Sequence, residues 1–414
     1  MNRNKGQDIS FPVGYFNFNE KQVFNYQLNR WYSLGFANFE DFKMIGKKID
    51  SFKKWKAEMR KFAEKAISED KVMNAAIYYR AAEFYTFEKF EKEYLYDKFS
   101  ELFYKAIVED KKEILEVPYE SGYIPVIRLI PEKEKKGTIL LHGGFDSFIE
   151  EFYYMMKYLR DYGFEVLGFE GPGQGKVLIK QGLALDYRWE KPVKTILDYF
   201  DIDNVSIFGI SMGGWFCLRA SAFEPRIKNV IATGHAIDYM KIPPAIARWL
   251  MIFFIKFFRD YTIKSFKKQV KKGGKKSWEI RNLMHITQND NPVEAFEYAM
   301  NLNESNLYSE LVKQNVFLMT AKNDHFIPFK MHKMQKRALT NVKSLTERVF
   351  TKDEQADNHC QIGNIQLMLD TVIDWLNEYM KLKNLYDIEK KTAEIALVKN
   401  GGNKWIKQSV KKDV

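Results

Sequence analysis

The sequence has few of the features that mark secreted, metal-binding or membrane-spanning chains. It has two cysteines, Cys217 and Cys360, in separate segments, which excludes a disulfide framework and indicates a reducing compartment. It lacks zinc-ligand spacings, and its N-terminus lacks an apolar secretory core. The most apolar run, 243–258, is too short to cross a bilayer and contains Arg248 and Lys256. We therefore expect a cytoplasmic location, with no metal and no cofactor.

The composition is that of a globular chain with a basic surface. Of 414 residues, 46% are hydrophobic and 29% are charged, which is enough to bury one large core with a cap. The net charge is +11, but the lysines are scattered through both halves and no nucleic-acid-binding motif accompanies them. The expected partner is a small-molecule substrate and not a nucleic acid, while formation of a homodimer stays open.

The hydrophobic periodicity changes along the chain. Residues 20–110 show helical spacing, and from about Glu113 short apolar strands alternate with helices, which predicts a doubly wound, mostly parallel sheet. The predicted helices include 72–90, and the predicted strands include 205–210. The predicted domains are an N-terminal helical cap (1–112), an α/β core in two parts (113–235 and 315–382), a helical lid insertion (236–314) and a basic C-terminal tail (383–414).

A serine lies between a predicted strand and a predicted helix. The segment Gly209-Ile210-Ser211-Met212-Gly213-Gly214 follows the apolar run 205–208 and precedes the predicted helix 215–223. A serine on so sharp a turn takes a strained backbone conformation, and only glycine leaves room two positions before and after it. The turn would expose the hydroxyl and direct the first amides of the helix toward it, an arrangement typical of a nucleophile.

A serine nucleophile needs a base, and the base needs an acid that orients it. When a serine occupies such a turn, the acid and then the histidine follow it along the chain. Asp324 follows the apolar run 316–320 and His359 precedes the last predicted helix, so these two are the predicted acid and base. Asp238 is the weaker alternative for the acid. Of the other histidines, His142 and His325 are candidate substrate-contacting residues, and structural roles are predicted for His235, His285 and His332.

Two backbone amides are needed to bind the oxyanion that forms during acyl transfer. One should belong to Met212, directly after the serine. The other should come from the loop 142–146, where glycines allow close approach to a substrate, and the amides of Gly144 and Phe145 are both candidates. The segment 171–175 lacks the spacing of a phosphate-binding loop and is predicted to be a glycine-rich turn beside the site.

The predicted insertion contains an unusual helix. Residues 245–254 are apolar nearly all round, so the helix must be buried or must cover an apolar pocket. The next segment, 264–276, holds seven lysines and no acid. The favoured interpretation is a packed helix followed by a solvated loop. The alternative is a lid that docks on membranes or on long anionic acyl substrates.

Together these motifs resemble the α/β-hydrolase superfamily, and within it the branch with an N-terminal helical cap. That branch includes 2,6-dihydroxypseudooxynicotine hydrolase, fungal polyketide chain-shortening hydrolases and fermentation–respiration switch proteins. The resemblance covers about residues 25–382, and it implies a triad of Ser211, Asp324 and His359. It also places Asp146 where the C–C hydrolases of the branch carry an acid. The matching segments are 142–147 with 150–151, 171–175, 209–214, 324–328 and 358–361.

The sequence therefore predicts a serine hydrolase. Its substrate would be small and apolar or aromatic, and an ester-like acyl bond would be cleaved through an acyl-enzyme. The alternatives are hydrolysis of a C–C bond in a β-diketone-like substrate and a non-catalytic regulatory or binding role on the same fold.

Overall fold

The first part of the chain is helical, as its periodicity predicts. The computed structural model describes residues 9–380. One difference from prediction is that the helix expected over 72–90 already ends at Phe84, and residues 89–90 belong to the next helix, which begins at Lys89. The helices are α1 (Gln22–Ser33), α2 (Phe39–Gly46), α3 (Phe52–Ser68), α4 (Val72–Phe84) and α5 (Lys89–Ala106).

A single sheet follows these helices, and in the described residues it has eight strands in the order β1-β2-β4-β3-β5-β6-β7-β8. The pairs β1–β2 and β2–β4 are antiparallel and all other pairs are parallel. Every residue of β4, β5 and β7 is buried, as expected for parallel strands covered on both faces. The strands are β1 (Glu113–Tyr119), β2 (Gly122–Leu129), β3 (Gly137–His142), β4 (Phe164–Phe169), β5 (Val205–Ile210), β6 (Ile227–Thr233), β7 (Asn315–Ala321) and β8 (Ser344–Phe350).

Helices between the strands complete the predicted α/β fold. Their bounds are α6 (Tyr153–Asp161), α7 (Gly175–Gln181), α8 (Glu190–Tyr199) and α9 (Met212–Phe223). Helix α7 was not predicted, since the glycine-rich segment 171–175 indicated only a turn. The turn is present and opens directly into α7, which ends at Gly182 in the left-handed conformation.

The insertion between β6 and β7 is helical. It contains α10 (Ala245–Phe257), α11 (Arg259–Lys272), α12 (Lys275–Ile286), α13 (Pro292–Ala299) and α14 (Glu304–Leu307).

The favoured interpretation of α10 as a packed helix is wrong. Only Ile255 of this helix is buried, and most of its apolar side chains face solvent. The lysine-rich segment after it is not a loop either, because lysine is a good helix former and the helix continues to the pair Gly273-Gly274. Among residues 9–380, no helix has both the length and the hydrophobicity needed to cross a bilayer.

After β7 the chain forms α15 (Lys330–Ala338), then β8, and finally the helix α16 over residues 365–380. The main compact unit extends to Met368. The predicted tail 383–414 lies outside the described residues, and the predicted domain boundaries remain predictions. Because β3, β5, β7 and β8 are parallel, their carboxyl ends share one edge of the sheet, which is where ligands bind in open α/β folds.

Candidate active site

Ser211 occupies a strained turn at the carboxyl end of β5. Its φ of 60° and ψ of −129° place it in a region that L-residues rarely adopt, and it is the residue before the first turn of α9. The flanking glycines leave the room that this turn needs. A Cβ at position 209 would lie 2.0 Å from the Gly213 carbonyl oxygen, and a Cβ at position 213 would lie 2.6 Å from the Gly143 carbonyl oxygen. The turn therefore requires glycine at both positions.

The three side chains predicted as nucleophile, base and acid lie in one hydrogen-bonded chain. Ser211 Oγ is 2.9 Å from His359 Nε2, and His359 Nδ1 is 2.7 Å from Asp324 Oδ2. Asp324 Oδ1 accepts from the amides of Phe326 and Ile327, both at 2.8 Å. With Nδ1–H donating to the carboxylate, Nε2 is left as the acceptor for the serine hydroxyl, which suits it to act as a base.

Charge and burial act against each other at this pair. Burial lowers the pKa of His359, but the Asp324 carboxylate and the Cys360 thiol beside it raise the pKa more, so it lies well above its ordinary value of 6.5. Burial likewise raises the pKa of Asp324, but the His359 cation and the hydrogen bonds that this carboxylate accepts lower it more. The acid therefore stays ionised and stabilises the imidazolium form of the histidine.

The loop that carries His359 is anchored on two sides. Cys360 and Gln361 both have positive φ, and Gln361 Oε1 accepts a hydrogen bond of 2.8 Å from the Thr233 hydroxyl at the end of β6. From the other side, the Tyr26 hydroxyl of α1 donates to the His359 carbonyl oxygen at 3.3 Å. These contacts fix the backbone that carries the imidazole, while Asp324 contacts the ring itself.

The loop after β3 packs directly on the serine turn. A Cβ on Gly144 would lie 2.7 Å from the Met212 amide nitrogen, so only glycine permits this approach. The Gln174 side-chain amide donates to the carbonyls of Gly143 and Gly144 at 2.9 and 3.1 Å. Because a trans peptide directs its N–H away from its carbonyl, the amides of Gly144 and Phe145 point away from Gln174. Both remain candidates for the second oxyanion donor, with Met212 as the first.

A buried ionic network joins the N-terminal helices to this loop. Glu151 is fully buried between Arg30 of α1 and Arg80 of α4, with nitrogen–oxygen distances of 2.9 Å to each. It also accepts from the Trp31 indole at 2.8 Å. Arg30 Nη1 pairs with Asp146 at 2.9 Å, and Arg80 Nη2 donates to the Asp146 carbonyl at 2.5 Å. The two arginines therefore anchor the loop after β3 to the N-terminal helices.

Glu151→Gln is expected to lower the free energy of unfolding by about 3–5 kcal/mol, because it leaves two buried arginines short of a negative charge. Urea denaturation followed by circular dichroism measures the loss. The matched control is Glu69→Gln, whose carboxylate pairs with Lys71 at the surface and whose removal should leave the curve unchanged. Equal small shifts of the denaturation curve in both variants would contradict the prediction.

A cavity of about 850 Å³ opens above Ser211 and His359. Its wall is mostly apolar, and it is built from α1, from the loop after β3 and from the inserted helices. Polar groups from different elements reach it, and they include Tyr26, Arg30, Asp146, Lys275, Glu279 and His325. Such a cavity is large enough for a small organic molecule whose apolar part is buried while its reactive group faces the serine.

The other candidate residues are placed as follows. His325 lines the cavity, where its ring packs on those of Tyr26 and Phe326, and burial lowers its pKa to about 4. His142 is fully buried between Phe169 and Trp189, and it is not among the described residues that line the cavity.

The remaining candidate residues have structural contacts. The Asp238 carboxylate accepts from the Met240 amide at 2.8 Å, which caps a short helical turn. His332 pairs with Glu347 at 3.0 Å, while burial lowers the pKa of His235 to about 4 and of His285 to about 3. Within residues 9–380 no cluster of three or more His, Cys, Asp or Glu could hold a metal ion. The absence of a metal and of a cofactor remains a prediction.

The residues near the site that were not predicted from the sequence include Tyr26, Arg30 and Gln174. The first two belong to a helix more than a hundred residues before the serine. Helical periodicity shows only which face of that helix they occupy. Gln174 could have been predicted, because it is a polar residue inside the glycine-rich segment 171–175, which adjoins the predicted site.

Comparison with known proteins identifies the fold family. Residues 139–353 match the model of the alpha/beta hydrolase fold family, just over half of the chain. The alpha/beta hydrolase psoB of Aspergillus fumigatus is 39% identical over 145 residues, which are 30% of this chain and 32% of psoB. The hydrolase acrC of Aspergillus aculeatus is 26% identical over 271 residues, which are 61% of this chain and 62% of acrC. In psoB and in the similar hydrolases LUC6, pyiE and ORFZ, the match spans about a third of the relative's length.

Solved structures share the fold over most of the chain. The structure of 2,6-dihydroxy-pseudo-oxynicotine hydrolase superposes with a TM-score of 0.61 at 20% identity, covering 84% of this chain and 94% of that one. AbyA5 superposes with a TM-score of 0.64 at 17% identity, covering 86% and 95%. The likeness includes the N-terminal helices, since it extends well beyond the segment that the family model covers. The chain belongs to the α/β-hydrolase fold family, as its strand order, its strained serine turn and its sequence match together show.

Proposed function

We propose that the protein is a serine hydrolase that cleaves an ester-like acyl bond of a small apolar or aromatic substrate. The observation that carries the proposal is the hydrogen-bonded chain from Ser211 through His359 to Asp324 at the base of a cavity. A serine without this chain would be a poor nucleophile at neutral pH. The names of the relatives psoB and acrC, both hydrolases, support the same class of reaction.

The proposed mechanism has two halves. His359 Nε2 takes the proton of Ser211 Oγ while that oxygen attacks the carbonyl carbon, and the carbonyl oxygen becomes an oxyanion facing the Met212 amide and the amide of Gly144 or Phe145. The imidazolium then protonates the leaving alkoxide, which departs as an alcohol. In the second half, water gives its proton to His359 and attacks the acyl-enzyme, and the imidazolium returns a proton to Ser211 as the acid leaves.

The test of the proposal is covalent labelling with a fluorophosphonate probe, read by intact mass and by peptide mapping. We expect one adduct, on Ser211, that is absent from the Ser211→Ala variant, because only an activated serine attacks such a probe. The wild type should also hydrolyse p-nitrophenyl esters. A wild type that is neither labelled nor active on any ester would contradict the proposal and would favour the regulatory interpretation.

Hydrolysis of a C–C bond is the second candidate function, and the position of the Asp146 carboxylate favours it. Its carboxylate lines the cavity, where Arg30 holds it at 2.9 Å. Asp146→Asn removes the charge and keeps the volume. For an ester hydrolase we expect kcat/KM on p-nitrophenyl esters to fall by no more than about tenfold, since the residue lies outside the Ser–His–Asp chain.

The comparison that separates the two reactions is a β-diketone assayed beside the ester, followed at its enol absorbance. We expect the wild type to leave the diketone intact. If the wild type cleaves the diketone with a higher kcat/KM than the ester, and Asp146→Asn loses that activity by about a hundredfold while retaining ester hydrolysis, the second candidate replaces the first.

A further inference from the structure

The outer face of α10 is an exposed apolar surface, which we call the α10 face and define as Ile246, Trp249, Phe253 and Phe257. These residues lie three or four positions apart, so they share one side of the helix. Ile246 is 76% exposed, Trp249 62% and Phe257 61%. Large apolar side chains are seldom clustered on a surface unless they contact a partner.

The rings of the α10 face pack on one another, and Phe253 also contacts the rings of Phe254 and Phe258. The Trp249 and Phe253 rings stack with centroids 5.4 Å apart, and Phe253 and Phe257 lie 5.0 Å apart. The opposite side of the same helix is turned inward, where Ile255 is buried and Met251 lines the cavity. The helix therefore has a core-facing side and, separately, an aromatic side that is largely exposed.

The helix that carries the α10 face and the helix that follows it are rich in positive charge. Residues 245–276 contain ten basic residues and one acid, Asp260. Arg259 is paired with Glu297 at 2.6 Å, but within residues 9–380 several exposed lysines of α11 form no ion pair with a carboxylate. These are Lys264, Lys267, Lys268, Lys271 and Lys272.

We propose that the α10 face docks on an anionic lipid surface, with Trp249 and Phe257 entering the interface and the α11 lysines contacting phosphate groups. An aromatic side next to a row of lysines is the composition of helices that lie in the plane of a bilayer. The apolar residues supply burial, and each lysine near an anionic surface adds a favourable charge interaction. Neither part alone would distinguish a membrane from another apolar partner.

The charges disfavour the other occupants of this face. In a symmetric dimer the same patch meets itself, so the unpaired α11 lysines of one copy would approach those of the other. The segment 383–414 holds eight lysines and four acids, and so it does not supply the negative charge that would complement the patch. An anionic bilayer complements both the apolar and the basic part.

Docking would also bring the cavity to the source of apolar substrates. Met251 of α10 and Ser265 and Phe266 of α11 line the cavity from the inside of the same two helices. A bilayer held against their outer sides would lie one helix thickness from the cavity wall. The docking proposal does not require catalysis, so its failure would leave the proposed hydrolase reaction untouched.

The experiment is flotation of the full-length protein with vesicles of phosphatidylcholine alone and of phosphatidylcholine with phosphatidylglycerol in equal parts. We expect binding to the anionic vesicles, weaker binding to the neutral ones, and release at high salt. The double variant Trp249→Ser with Phe257→Ser should lose at least about tenfold in partitioning. The charge variant Lys267→Glu with Lys271→Glu should lose the preference for anionic vesicles.

The matched control is Phe90→Ser with Tyr199→Ser, which removes two exposed aromatic residues from α5 and α8 and should bind like the wild type. Hydrolysis of a soluble ester by the α10 variant should be unchanged, which shows that it is folded. Equal binding by the α10 and control variants would overturn the proposal. So would a stable dimer in light scattering that the α10 variant disperses, since the face would then belong to a second copy.

Discussion

Ser211→Ala is expected to lower kcat for ester hydrolysis by a factor between roughly 10⁴ and 10⁶. The substitution removes the oxygen that forms the acyl-enzyme, and the remaining activity would come from the oxyanion amides and from substrate binding alone. KM should change little, because the hydroxyl contributes little to binding the apolar part of the substrate. Steady-state kinetics with p-nitrophenyl esters measure the loss, with wild-type active sites counted by the fluorophosphonate probe and the folded variant counted by protein concentration.

The matched control is Ser265→Ala. Ser265 also lines the cavity, on α11, but among the described residues it forms no hydrogen bond with His359. We expect its kcat to remain within a factor of about three, since surface substitutions away from the reacting atoms have small effects. Retention of more than about a tenth of wild-type turnover by Ser211→Ala would exclude this serine as the nucleophile.

The part of the site that follows from short-range sequence features was predictable. The apolar strand 205–210 and the glycines at 209 and 213 identify the serine turn, because that backbone conformation and that close packing admit few other residues. Asp324 and His359 were found from their positions after a strand and before a helix. In a parallel sheet those positions meet at one edge, so the order of the elements is enough to bring them together.

Contacts between distant segments were not predictable. Tyr26 reaches the His359 carbonyl across 333 positions of sequence, and Arg30 reaches Asp146 across 116. Periodicity shows that α1 has a buried face, but it carries no information about which surface that face meets. The same limit explains the error at α10. An apolar helix can be buried in the protein or exposed to a partner, and the pattern of its residues is identical in both cases.

Asp324→Asn is expected to lower kcat by about 10⁴-fold and to move the pH profile. The amide leaves His359 without the partner that selects its tautomer and stabilises its cation. In the wild type the carboxylate holds the pKa of His359 above 6.5, and the base works only when neutral. Activity should therefore rise with pH, with the midpoint of the acid limb above 6.5. Removing the negative charge lowers the pKa of the histidine, so the midpoint should move to lower pH.

The control for this prediction is Asp238→Asn, at the rival position for the acid. Its carboxylate caps the Met240 amide and does not contact His359, so neither kcat nor the midpoint should change beyond about twofold or a few tenths of a pH unit. The profile of kcat/KM against pH separates the two roles of Asp324, because a purely structural loss would lower the plateau without moving the midpoint. If Asp324→Asn lowers the plateau and leaves the midpoint unmoved, the charge of Asp324 does not act on the base. If Asp238→Asn moves the midpoint instead, Asp238 is the acid of the site.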